Sequence, residues 1–210
     1  MTENQGTPVI RFKGFTDAWE QRKLSDLYIK CGSGGTPRST NQSYYDGEIP
    51  FLGISDITES NGYINDTEKH ISKEGLKNSA AWIVPAGAIS LAMYASVGKL
   101  AILHADTATS QAFFNMVFDD DSLRDFVYQS LVKTHDFDEW NCLVSTGTQD
   151  NLNADKVKNF EIKLPTSKKE IAVVSTFFMK IDNLITLHQR ELEKLQNTKK
   201  AMLEKMFVQG

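Results

Sequence analysis

The sequence predicts an α+β protein: a globular domain over residues 1–165 with a mixed or antiparallel sheet, then one long coiled-coil helix over residues 166–210. Three observations carry that expectation. Between Glu48 and His104, short apolar runs alternate with turn residues, which is the pattern of strands. From Ser167 onward, apolar residues recur three and four apart, which is the pattern of a helix with a seam. A length of 210 residues gives room for one medium domain plus an appendage, and too little for two full domains.

Taken in order, Met1–Pro8 is polar and has no apolar core of a signal peptide. An amphipathic piece is expected around Trp19–Ile29, followed by a turn-rich stretch from Cys31 to Gly47, dense in Gly, Ser, Thr, Asn and Pro. Ile89, Leu91 and Met93 alternate as a strand would, and Leu100–Leu103 is a compact buried-strand candidate. Phe113–Phe118 reads as a further strand. Asp119–Ser122 is a helix-start signal, and Leu123, Phe126, Val127 and Leu131 form one apolar stripe behind it. A helical turn at Ala154–Asn159 and a strand at Phe160–Leu164 close the domain at Pro165.

The last segment opens on Ser167–Lys168–Lys169–Glu170, which has the spacing of a capping box. The seam that follows is Ile171, Val174, Phe178, Ile181, Ile185, His188, Leu192, Leu195, Lys199, Met202 and Met206; nine of these eleven are apolar. Sustained over about five heptads, that is a helix-to-helix contact. Phe177 and Leu184 widen the stripe in the first half, so that half is expected to pack on the globular domain as well. The competing expectation is a long amphipathic helix folded back on its own domain.

Composition excludes more than it assigns. Hydrophobic residues make up 40% and charged residues 24%, ordinary values for a globular protein. No run approaches the roughly 18 consecutive apolar residues of a membrane span, so no membrane association is expected. Cys31 and Cys142 show neither metal nor redox spacing and fit thiols in a reducing cytoplasm. The net charge of −4 is uneven: residues 1–165 hold 15 Lys and Arg against 22 Asp and Glu, a balance of −7, whereas residues 166–210 hold 8 against 5, a balance of +3. Any binding to nucleic acid therefore needs a local basic surface or charge from a partner.

Enzyme motifs are missing. Gly32–Pro37 lacks the Gly-Lys-Ser/Thr ending of a phosphate loop, and no Gly-x-Gly-x-x-Gly opens a helix after a strand. His70, His104, His135 and His188 lie far apart without zinc-ligand spacing. Asp119–Asp121 suits a helix dipole better than a metal. Glu161-x-Lys163 has the outline of half a nuclease site, but the required partner acid is not visible in the sequence. No Asn/Asp-Pro-Pro-Tyr/Phe methyltransferase motif occurs. The expectation is a non-catalytic chain without metal or cofactor.

Two segments have the character of a binding surface. Lys30, Ser33, Gly34, Gly35, Thr36, Arg38, Ser39 and Thr40, with Asn41, Tyr44 and Tyr45, combine short donors and acceptors, a guanidinium and glycines that permit close approach. Phosphate and base-edge contacts require those groups. Thr146, Gly147, Thr148, Gln149 and Asn151 repeat the character, and Gln and Asn are the side chains that pair bidentately with adenine. Lys99, beside Gly98 in a turn-like setting, is a candidate phosphate contact.

Read in sequence, the chain resembles the specificity subunits of type I restriction–modification systems. The resemblance runs from Phe12–Leu24 (with Lys13 where Pro is usual) through Gly34–Ser39 and Gly47–Phe51. It continues through Gly75–Leu76, Val84–Gly87, Val97–Lys99 and Ser110–Ala112 to Ile162–Pro165 and Phe178–Asp182; Ile171 stands where Gln is common. The order of these segments carries the resemblance, not any one motif. It implies a target-recognition domain that reads one half of a bipartite site in double-stranded DNA. It also implies a helix that acts as spacer and docking surface for methyltransferase subunits, with nuclease subunits joining through them. Such subunits usually carry two recognition domains and two helices that pair antiparallel. This chain has one of each, which implies a homodimer or a fragment. A coiled-coil adaptor that reads no DNA is the alternative.

Overall fold

The computed structural model describes residues 6–142 and 152–207, so Thr146, Gly147, Thr148, Gln149 and Asn151 lie outside the described residues. The chain divides into two compact units, Met1–Ser175 and Thr176–Gly210. The strands are β1 (Glu20–Lys23), β2 (Lys30–Gly32), β3 (Ile49–Phe51), β4 (Tyr63–Ile64), β5 (Lys69–Ile71), β6 (Trp82–Val84), β7 (Ile89–Ala92), β8 (Leu100–Leu103), β9 (Thr107–Thr109), β10 (Phe113–Val117) and β11 (Glu161–Leu164). The helices are α1 (Ile54–Glu59), α2 (Lys73–Lys77), α3 (Asp121–Asp136), α4 (Ala154–Lys158) and α5 (Lys168–Met206). The class is α+β, as the sequence predicts.

The first unit holds three sheets: five strands in the order β2-β10-β7-β8-β4, four in the order β5-β3-β9-β6, and the pair β1-β11. Most pairings are antiparallel, whereas β3–β9 and β4–β8 run parallel. Strands β7 and β8 are buried along their whole length, and β10 along all but its last residue. Of the three, only β8 is a continuous apolar run; β7 and β10 each carry one buried polar residue, Ser90 and Asn115. Leu52, Ile57, Ile64, Val84, Leu103 and Phe113 belong to one core cluster, and Phe51, Ile71 and Ala108, on strands of the four-stranded sheet, form a smaller one.

One polar cluster ties the two larger sheets together. Ser90 on β7 donates to Asn115 Oδ1 at 2.6 Å. The Asn115 amide donates in turn to the Gly32 carbonyl on β2 at 3.0 Å and to Thr109 Oγ1 on β9 at 2.8 Å. Ser90, Asn115 and Thr109 are fully buried, so each group must find its partner inside the protein. The arrangement fixes where β2 ends, and so where the turn-rich segment after it begins.

Three expectations need correction. The amphipathic piece at Trp19–Ile29 is β1, a 3₁₀ turn at Leu24–Asp26 and the approach to β2. The region read wholly as strands also contains α1 and α2, of 6 and 5 residues. The helix α5 starts beside the proposed box, but the Glu170 carboxylate serves another purpose. Its two oxygens accept from Arg11 Nε and Nη2 at 2.6 and 2.8 Å, and from the Trp19 indole at 3.2 Å. The bidentate pair ties the N-terminal arm to the first turn of α5, and Glu170 is 1% exposed there. Ser175 donates to the Ser122 carbonyl at 2.8 Å, joining the second turn of α5 to the start of α3. Helix α3 itself begins as expected, with the Asp120 carboxylate accepting from the Ser122 and Leu123 amides.

The second unit is the rest of α5. At 39 residues the whole helix is roughly 58 Å long at 1.5 Å per residue. Phe177, Phe178, Ile181, Leu184, Ile185, Leu192, Leu195 and Met202 are exposed on it. An 18-residue window of α5 reaches a mean hydropathy of 1.2, so by length and composition alone this helix is also apolar enough to cross a membrane. Lys180 and Asp182 interrupt its apolar half.

Candidate nucleic-acid interface

The strand register gathers several of the sequence-selected residues at one end of the five-stranded sheet. Ala92 at the end of β7 pairs with Phe113 at the start of β10, and Leu91 with Leu100 at the start of β8. β2 runs toward the same end, where the Gly34 amide donates to the Ser110 carbonyl and the Gly35 amide to the Thr109 carbonyl, each at 3.1 Å. Three loops therefore meet there: Ser33–Thr40, the β9–β10 turn at Ser110–Ala112, and the β7–β8 hairpin that contains Lys99.

The glycines of the first loop are demanded by the protein's own backbone. A Cβ on Gly34 would sit 1.7 Å from the Thr109 carbonyl oxygen, and one on Gly35 would meet Ala80 at 2.7 Å. Ser33 and Thr36 are exposed on either side of them. Thr36 Oγ1 donates to Gln111 Oε1 at 2.9 Å, which links the first loop to the second. Pro37 is buried and its carbonyl accepts from the Tyr45 hydroxyl at 2.7 Å. The Asn41 amide donates to the Arg38 carbonyl at 3.0 Å. Arg38, Ser39 and Thr40 are thus exposed on an anchored turn, with the guanidinium free of any ion pair among the described residues.

Lys30 is exposed at the start of β2. Its Nζ lies 4.5 Å from the centre of the Trp82 ring on β6, a cation–π contact. Lys99 is half-buried in a hairpin closed by backbone hydrogen bonds, from the Ala92 amide to its carbonyl at 2.8 Å and from its own amide to the Ser96 carbonyl at 3.0 Å. Trp140 and Leu152, described residues on either side of the second polar segment, both lie at this hairpin. The Trp140 ring is in the way of any Cβ on Gly98, and the Leu152 amide donates to the Met93 carbonyl at 2.8 Å.

Two residues at this end were not singled out individually from the sequence: Gln111, which partners Thr36, and Tyr94, exposed on the hairpin. A Tyr in the short segment between two apolar strands that ends in Gly98–Lys99 was the available signal. Among the described residues there is no cluster of three or more His, Cys, Asp or Glu able to hold a metal ion. Glu161 and Lys163, the outline of a nuclease site, lie on the exposed face of β11, where Glu161 accepts from the Gln21 amide.

Comparison with known proteins gives one consistent answer. A family described as "Type I restriction modification DNA specificity domain" matches residues 16–197. The chain is 28% identical over 194 residues to the type I restriction enzyme MjaIX specificity subunit of Methanocaldococcus jannaschii, covering 90% of this chain and 44% of that protein. It is 31% identical over 175 residues to the HindI specificity subunit of Haemophilus influenzae, covering 80% of this chain and 37% of that one. The crystal structure of a type I restriction–modification S subunit from M. genitalium superposes with a TM-score of 0.64 at 14% identity, over 99% of this chain and 47% of that chain, a likeness of fold. The chain spans less than half the length of the curated relatives it matches. It belongs to the type I restriction–modification DNA specificity domain family.

Proposed function

We propose that this chain reads one half of a bipartite site in double-stranded DNA and, paired with a second copy through α5, positions methyltransferase subunits on it. Nuclease subunits would join through the methyltransferases, and the complex would work in the cytoplasm. The chain itself contributes recognition and spacing, not chemistry. The observation that carries this reading is the convergence of Thr36, Gln111, the Arg38 turn and the Lys99 hairpin at one end of a rigid sheet, in a member of a DNA specificity family. Lys30, Ser33, Thr36, Arg38, Ser39, Thr40 and Lys99 are the proposed DNA contacts among the described residues, with Thr146–Gln149 and Asn151 as the second set. Gly34 and Gly35 support this surface by bringing its first loop against β9.

Pairing through the seam of Phe178, Ile181, Ile185, His188, Leu192, Leu195 and Met202 would place a two-fold axis between identical recognition domains. The same loops would then meet two inverted half-sites. The target is accordingly an interrupted palindrome, with half-sites separated by about one helical turn, roughly 34 Å. Mapping methylated bases in DNA exposed to this chain and its methyltransferase subunit tests the reading. An inverted repeat around a fixed gap is expected; an asymmetric or continuous site would overturn the homodimer. The acidic balance of residues 1–165 favours one competing reading, an adaptor that binds protein through its helix and reads no DNA. A gel shift with duplex and the methyltransferase present separates the two.

A further inference from the structure

We propose that Tyr94, at the tip of the β7–β8 hairpin, packs its ring against a base or sugar face in a groove of the half-site. The inference rests on the DNA reading above and adds a residue that composition and motifs did not select.

A single exposed aromatic is ordinary on a protein surface. Tyr94 is informative because of how it is held. It is 48% exposed, yet its neighbours leave the backbone little freedom. Met93, directly before it, is buried; its amide donates to the Ala112 carbonyl at 2.9 Å, and its carbonyl accepts from the Leu152 amide at 2.8 Å. After it, Ser96 adopts φ +53° and Gly98 φ +84°. The Gly98 amide donates back to the Ala92 carbonyl at 3.0 Å. A side chain on Gly98 would strike the Trp140 ring at 2.4 Å, so the tip sits directly on a buried indole. The left-handed Ser96 tightens the turn.

A Tyr carried on a backbone held in this way has only two side-chain torsions to order on contact, which is why Tyr serves repeatedly as an anchor at interfaces. Its surroundings select the partner. Lys99 puts a cation in the same turn, suited to a phosphate. Thr36 and Gln111 offer hydroxyl and amide groups at the same end of the sheet. About half of the Tyr94 side chain is open to solvent and available for contact. Aromatic and apolar side chains that enter a groove beside cations stack on bases or wedge at base steps. Nucleic acid presents that combination of anionic backbone and flat apolar faces.

The test uses the full chain with its methyltransferase subunit, on the site mapped by methylation. Tyr94→Ala should weaken binding to that duplex roughly tenfold or more, while Tyr94→Phe stays within about twofold of the parent. The slope of affinity against salt should be unchanged in Tyr94→Ala, because a ring neutralises no phosphate. The melting temperature of both variants should match the parent, since the side chain is exposed. Equal binding by Tyr94→Ala and parent would overturn the proposal. So would equal weakening by Phe and Ala, which would assign the contact to the hydroxyl, and so would a reduced salt slope, which would mean that the change acts through Lys99. If the parent complex binds no specific duplex, the DNA reading fails and this inference fails with it.

Discussion

Strand β10 and the distal half of α5 are both apolar, and they differ in what covers them. In β10, Phe113, Phe114 and Met116 are 1% exposed or less. In α5, Ile185 and Leu192 are at least half exposed. Apolar side chains of similar size are buried in one place and exposed in the other. Burial of each such side chain is worth roughly 1.5–3 kcal/mol, so a seam of this length represents a large unrealised driving force for association. The globular unit buries its apolar strands, and the distal helix leaves its seam exposed.

The comparison can be broken from either side. The largest effect is expected inside the sheet: Phe113→Ala should cost about 3–5 kcal/mol through lost burial and a cavity, read by denaturant unfolding. Next comes the seam. Ile181→Glu or Leu192→Glu should leave the unfolding of the globular unit unchanged while abolishing self-association or methyltransferase docking; light scattering identical to the parent would refute the coiled-coil assignment. A heptad inserted in α5, about 10 Å, should change the gap between half-sites or abolish binding, and keep each half-site sequence.

Smaller effects sharpen the boundary between the two regions. Glu170→Gln removes the charge that holds Arg11 and should lower the melting temperature by roughly 5 °C. Hydrogen bonding from Arg11, and then from Trp19, holds the Glu170 carboxyl below its ordinary value of 4.5 against the opposing effect of burial. A lowered value in the folded state gives stability that is complete above about pH 4.5 and lost as pH falls through the folded value. The parent should therefore lose this stability in acid while Glu170→Gln does not, measured by melting from pH 6 to 3. The smallest changes are at the candidate DNA surface. Arg38→Ala should cost about 1–3 kcal/mol of binding and relax one position of the site if it reads a base. Lys99→Ala should weaken all sequences alike and reduce the salt slope by about one unit. Neither should alter folding.

What could be read from the sequence was local. Asp120 caps α3 where an acidic run precedes an apolar stripe, and the spacing from Ile171 onward repeats often enough to reveal α5. Helices α1 and α2 escaped notice because 5 or 6 residues complete fewer than two turns and show no period. Strand β1 was obscured because its partner lies some 140 residues away, at Glu20↔Leu164 to Lys23↔Glu161. The same separation hid the Arg11–Glu170 pair. At the candidate site, sequence identified Thr36, Arg38 and Lys99 by chemistry, but not that Gly34 and Gly35 fit against Thr109 and Ala80, nor that Gln111 stands opposite Thr36. Composition signals close approach without saying what approaches.

The β1–β11 pairing also sets a timetable. During synthesis, Glu20–Lys23 emerges well before Glu161–Leu164 exists, a wait on the order of ten seconds at about 5–20 residues per second. Throughout that interval β1 is an open strand edge, the kind of surface on which nascent chains mispair. Its sequence, Glu-Gln-Arg-Lys, is wholly polar and three of its four residues are exposed even when paired. Charged edges discourage wrong partners. The strand that must wait longest is thus the one least able to aggregate, and the apolar residues that hold the pair, Ile162 and Leu164, arrive only with the late strand.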